Sequence, residues 1–131
     1  MFSFLPKPQS PNPLRRFCAP EGQRIYAIGD IHGRADLLKK LHGMILLDAS
    51  VSRPLDNVVV YMGDYIDRGP FVCDTLDHVL HGLTDDFTIH RLRGNHEQLF
   101  LDFLHDPSVL PAWLELGGLW TLTSYGVYPG L

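Results

Sequence analysis

Three polar turns, each placed directly after an apolar run, constrain this chain more than anything else in it. They are Gly29-Asp30-Ile31-His32-Gly33, Gly63-Asp64-Tyr65-Ile66-Asp67-Arg68-Gly69-Pro70 and Arg93-Gly94-Asn95-His96-Glu97. The runs before them, Arg24 to Ile28, Asn57 to Met62 and Phe87 to Leu92, are apolar, partly β-branched and short, which reads as strands. One such turn could be a solvated loop. Three in series, each rich in carboxylate, imidazole, carboxamide or guanidinium, are hard to explain that way.

Between the turns the period changes. Leu37, Leu38, Leu41, Met44, Ile45 and Leu47 fall mostly at helical spacing, and Arg53-Pro54 ends that segment. Pro70 suits the first turn of a second helix running to about Gly82, with Val72, Leu76, Val79, Leu80 and Leu83 as its apolar stripe. Asn95 can cap a third helix that ends near Asp106-Pro107. A short helix over Val109 to Leu116, a break at Gly117-Gly118 and a helix over Leu119 to Tyr125 complete the chain. The fold class is therefore α/β, a βαβαβ core with a mainly parallel sheet and right-handed crossovers. Such a sheet sends all three turns to one edge, where open α/β sheets place ligands.

With 131 residues the chain is at most one domain, with room for a real core. Its formal charge of −4 gives no electrostatic reason to expect a nucleic-acid partner. No apolar run approaches the roughly 20 residues needed to span a bilayer. Cys18 and Cys73 do not make a disulfide framework, which fits a reducing, cytoplasmic location. Residues 1–20 carry Pro6, Pro8, Pro11, Pro13 and Pro20 and read as a proline-rich mobile tail, leaving 21–131 for the folded part.

The turns carry complementary chemistry. Asp30 and His32 are two residues apart, a spacing that places both side chains on one ion when the backbone is extended. Asp64 has two oxygens and can bridge two ions. Carboxylate, imidazole and the Asn95 carboxamide together suit a borderline divalent ion such as Mn²⁺, Fe²⁺ or Zn²⁺. Two ions roughly 4 Å apart can clamp the attacking and leaving oxygens of a phosphoryl displacement. His96 could protonate a leaving alkoxide, with Asp67 holding its ring. Arg68 offers a planar fork for phosphate oxygens, and the glycines let metal or phosphate come close to the backbone.

Residues 29–33, 63–69 and 93–97 resemble, in order and approximate spacing, the three N-terminal motifs of the calcineurin-like metallophosphoesterases, above all the phosphoprotein phosphatase branch. Residues 113–126 are more weakly similar to bacterial serine/threonine protein phosphatases. The resemblance implies a β-sandwich flanked by helices and two divalent metal ions, with manganese favoured and iron or zinc as alternatives. It implies Asp30, His32 and Asp64 as ligands of the first metal, and Asp64 and Asn95 as the start of the second site. His96 with Asp67 would be the acid and its partner, Arg68 with Asn95 would bind the substrate phosphate, and a metal-bridging water or hydroxide would attack. The substrate would be a phosphoprotein or a small phosphoester. A related branch hydrolyses diadenosine tetraphosphate and typically has alanine at the position of Asp67, so the Asp67-Arg68 pair favours the protein phosphatase branch.

The chain departs from the family after the third turn. The family completes its second metal site with two more histidines and adds a second phosphate-binding arginine. Here only His105 follows His96, and no arginine follows Arg93. This implies the N-terminal half of a longer phosphatase, an incomplete domain over 21–131 whose second sheet is missing. It predicts weak or no hydrolysis, or a non-catalytic remnant that binds one metal. It also predicts self-association or low solubility through the uncovered sheet face. Outside the turns the plain readings are preferred. His78 and His81 belong to a solvated helix face, His42 and His90 to the surface or a strand end, and Trp113 and Trp120 to the core. Cys73 is a small buried side chain and His105 an exposed helical histidine.

Overall fold

A computed structural model of the protein describes residues 18–130. Most of the proline-rich tail, residues 1–17, therefore lies outside the described residues. The chain builds β1 (Gln23–Ile28), α1 (Ala35–Val51), β2 (Asp56–Tyr61), α2 (Val72–His81), β3 (Phe87–Arg91), α3 (Asn95–His105), a 3₁₀ turn at Pro107–Val109, α4 (Leu110–Glu115) and α5 (Gly118–Ser124). The three strands form one parallel sheet in the order β1-β2-β3. Gln23 pairs with Asp56 through to Ile28 with Tyr61, and Asn57 with Phe87 through to Tyr61 with Arg91. All three strands thus end level, which brings the three turns to a single edge.

Alternation along the strands decides which face is covered. Ile28, Val59, Tyr61 and Phe87 join Leu38 and Ile45 of α1 and Val72 and Val79 of α2 in one buried cluster. Both crossover helices therefore lie on the same face. The opposite face is bare among the described residues. Ile25, Val58, Val60, Thr88 and His90 line an open groove of about 460 Å³ with no helical residue in it. Among the described residues, this is the face that the sequence leaves uncovered.

Several local expectations change. In α1 only Ala35, Leu38, His42 and Ile45 are buried. Met44 and Leu47, taken as part of the apolar stripe, are 66% and 63% exposed. His42, expected at the surface, is buried and sits 2.8 Å from the Tyr61 hydroxyl through Nε2. Burial pushes its pKa down to about 4, with His78 nearby adding to the shift. Pro70 precedes α2 instead of opening it, and Gly94 takes the N-cap position of α3 with Asn95 as the first helical residue. Trp113 is fully buried as expected, whereas Trp120 is 48% exposed. Cys73 is half-buried and His105 exposed.

Candidate functional site

The turn at 63–70 is the hub on which the other two dock. The backbone N–H groups of Ile31 and His32 both donate to the Asp64 carbonyl at 2.9 Å, and Gly33 N–H donates to the Tyr65 carbonyl at 2.8 Å. Phe71 N–H returns a bond to the Gly33 carbonyl at 3.0 Å. This approach leaves no room for side chains. A Cβ on Gly33 would come 2.6 Å from the Gly69 carbonyl oxygen, and one on Gly94 would run into the Asp64 carboxylate. These glycines let turn meet turn.

The third turn is fastened by Glu97. Its Oε2 accepts from Asp64 N–H at 2.8 Å and Gly94 N–H at 2.9 Å, and its Oε1 accepts from Tyr65 N–H at 2.8 Å and Ile66 N–H at 3.3 Å. One carboxylate thus satisfies four backbone donors that would otherwise be unpaired in a half-buried loop. Sequence reasoning gave Glu97 no role. The available signal was an acid three residues beyond Gly94 at a helix start, the capping-box spacing. The Tyr65 hydroxyl also donates to the Leu92 carbonyl. Burial, with the Glu97 charge adding to it, pushes the Tyr65 phenol up to about 12.

Backbone strain concentrates here. Among non-glycine described residues, positive φ occurs at His32 (44°), Asp64 (53°), Asp67 (69°) and Arg68 (64°). All four were singled out from the sequence. Each such residue costs on the order of 1–3 kcal/mol, and a fold retains it only when surrounding contacts determine it. One expectation is corrected by this. Asp30 and His32 do not meet along an extended strand, because β1 stops at Ile28 and His32 lies in a left-handed turn. The turn still brings them together, with Asp30 Oδ2 3.9 Å from His32 Nε2.

The side chains converge as follows. His32 Nδ1 lies 2.8 Å from the Ile66 carbonyl, which only accepts, so Nδ1 carries the proton and Nε2 is left as the lone-pair donor. Arg68 Nη1 donates to that Nε2 at 3.2 Å. His96 N–H donates to Asp64 Oδ1 at 3.1 Å, and His96 Nδ1 lies 2.7 Å from Asp67 Oδ2. The imidazoles of His32 and His96 meet edge to face with centroids 4.6 Å apart. Ligand atoms of His32, Asp64 and His96 lie within 4.8 Å of one another. Donors on opposite sides of one ion stand roughly 4 Å apart, so small side-chain movements would meet that spacing. The His32 imidazole and the Asp64 carboxylate of this set suit a borderline divalent ion, and His96 stands against them with its Nδ1 turned to Asp67. Asp30, with its side chain 67% exposed, stands at the rim of the set, and Asn95 is exposed at the start of α3 beside His96.

Asp67 is the least exposed member, at 0%. Besides His96, its carboxylate accepts from Trp113 Nε1–H at 3.1 and 3.0 Å and from the Thr121 hydroxyl at 2.6 Å. Neither Trp113 nor Thr121 was assigned a polar role from sequence. Their partner is 46 and 54 positions away, and nothing local signals the contact.

Turns of this composition on the carboxyl edge of a parallel sheet define a class, and the chain belongs to it: it is a member of the calcineurin-like phosphoesterase family, matched over residues 23–130. It is 34% identical over 106 residues to serine/threonine-protein phosphatase 1 of Salmonella typhimurium, covering 81% of this chain and 44% of that protein. It is 32% identical over 101 residues to serine/threonine-protein phosphatase 2 of Escherichia coli, covering 75% of this chain and 40% of that protein. The chain therefore spans less than half the length of these curated relatives. The α/β arrangement found here is that of the N-terminal part of a metallophosphatase fold.

Proposed function

We propose that the turn edge is a metal-dependent centre for phosphoester hydrolysis, of the serine/threonine protein phosphatase lineage. The observation that carries this reading is the meeting of His32, Asp64 and His96 at one sheet edge, with Arg68 against His32. Asp30, His32 and Asp64 would hold a first divalent ion, and Asp64 and Asn95 would contribute to a second. Manganese is favoured, with iron or zinc as alternatives. Such ions, when bound, supply Lewis acidity and lower the pKa of water. Arg68 is exposed, and its fork is free to turn from His32 towards phosphate oxygens. Asn95, exposed at the start of α3, would be a further phosphate contact. His96 in its protonated form would give the Nε2 proton to the leaving alkoxide and keep its Nδ1 proton, donated to Asp67 Oδ2.

Two points favour a phosphoprotein substrate over a dinucleotide. The relatives are named as protein phosphatases. Asp67, the residue that separates the two branches, is fully built into this fold by Trp113 and Thr121. Turnover is expected to be weak, because the described residues offer the second ion only Asp64 and Asn95. Cytoplasmic location and self-association through the bare sheet face belong to the same reading. The test offers a phosphoserine peptide and diadenosine tetraphosphate with Mn²⁺. Slow phosphate release from the peptide, abolished by His96→Asn, is expected. Preference for the dinucleotide would overturn the substrate class. Mn²⁺ held through Asp64 with no release from either substrate would select a non-catalytic, metal-binding role.

A further inference from the structure

We infer that Trp113 and Thr121 are positioning residues for His96, acting through Asp67. They form a socket that fixes the carboxylate and, through it, the tautomer of the imidazole. The inference rests on the reading of His96 as the proton donor. It concerns two residues from the C-terminal helices α4 and α5, remote in sequence from all three turns.

The geometry is specific. Thr121 Oγ1 accepts from Asp67 N–H at 3.0 Å and donates to Asp67 Oδ1 at 2.6 Å, so one hydroxyl grips both backbone and side chain of a residue at φ 69°. Trp113 Nε1–H lies almost equally far from both carboxylate oxygens, at 3.1 and 3.0 Å, and so faces the open end of the group. Together these bonds leave the carboxylate no free rotation and hold Oδ2 against His96 Nδ1 at 2.7 Å. The carboxylate only accepts, so Nδ1 must carry a proton and Nε2 is the atom left to exchange one. All members are buried: Trp113 and Asp67 at 0%, His96 at 2% and Thr121 at 4% exposure. With water excluded, nothing else can take the place of a missing donor.

The socket is itself built with care. The indole stacks on Phe103 at 5.0 Å and packs against Phe100 at 5.1 Å, both on α3, the helix that begins beside His96. A Cβ on Gly118 would come 2.5 Å from the indole carbons, so a glycine is required where α5 begins. A merely structural anchor for α4 and α5 would need the ring, not its N–H. Here the N–H and the hydroxyl meet on one carboxylate that also holds a histidine.

The test reads the imidazole directly. The ¹⁵N-labelled chain is studied with chelator present, at pH raised until the His96 ring nitrogens report a neutral imidazole. Long-range proton–nitrogen spectra report the tautomer, and a downfield proton reports the Nδ1–H bond. His96→Asn assigns the signals. Wild type should show His96 only as the Nδ1–H tautomer with a slowly exchanging downfield proton. Trp113→Phe keeps the aromatic stack, and Thr121→Val keeps the shape. Each should lose the downfield proton or mix the tautomers, while Thr121→Ser should restore the wild-type spectrum. An unchanged His96 spectrum in Trp113→Phe or in Thr121→Val would overturn the inference. Should Thr121→Val not fold, Trp113→Phe decides alone. Turnover plays no part in the readout, so a chain without hydrolase activity would count against the proposed function only.

Discussion

His32 and His96 face each other across 4.6 Å and are held in opposite ways. His96 leans on a buried carboxylate that has three side-chain donors. His32 leans on a backbone carbonyl, and its other nitrogen looks toward Arg68 and Asp30, both exposed. The first arrangement is set before anything binds. The second can be reshaped by whatever enters. A site that must keep one proton carrier in place while exchanging ions and phosphate would divide its rigidity in this manner.

The sharpest way to break the contrast is Asp67→Ala. It leaves the Trp113 N–H, the Thr121 hydroxyl and His96 Nδ1–H buried without their acceptor, and should cost about 3–5 kcal/mol in urea unfolding. Next comes Glu97→Gln. A carboxamide has one accepting oxygen for four backbone donors, so stability should fall by about 2–3 kcal/mol and the Asp64 and Tyr65 amides should exchange faster with deuterium.

A third histidine sharpens the comparison because it has no carboxylate. His42 is buried against Tyr61, and its folded pKa of about 4 lies below the ordinary value. The unfolded chain therefore takes up the proton first as pH falls. Stability should drop between about pH 6.5 and pH 4, by up to about 1.4 kcal/mol per pH unit, and be unaffected by this group above that window. His42→Gln should flatten that slope in denaturant titrations at stepped pH. The smallest structural effect belongs to Arg68→Ala. The side chain is exposed, so stability should move by no more than about 0.5 kcal/mol. Calorimetric phosphate affinity in the presence of Mn²⁺ should nevertheless fall about tenfold.

The same division runs through what could be read from sequence. Strands, crossover helices and the polar turns were legible because apolar period and turn chemistry are local. Strand ends fell within a residue of expectation, as with Gln23–Ile28 against Arg24 to Ile28. Of the residues named on the turns, His32, Asp64, Asp67, Arg68 and His96 meet, whereas Asp30 stands at the rim and Asn95 is exposed. The means of holding them were not legible. Left-handed backbone at four non-glycine positions follows from tertiary docking, and Glu97 reads as an ordinary helix acid until its four amide partners are in view. His42 shows the reverse error. A histidine read as belonging to the surface or a strand end is buried, with its partner Tyr61 on the next strand. The stripe of α1 was overread, since Met44 and Leu47 face outward and no described element covers them.

The account depends most on the claim that the three turns make one metal centre through Asp64. Mn²⁺ titration followed by electron paramagnetic resonance tests it, with Asp64→Asn as the probe and Asp74→Asn, on the exposed side of α2, as the control. A strongly held Mn²⁺ in wild type and Asp74→Asn, lost in Asp64→Asn, is the predicted result. Mn²⁺ binding that is absent from wild type, or unchanged by Asp64→Asn, would contradict it.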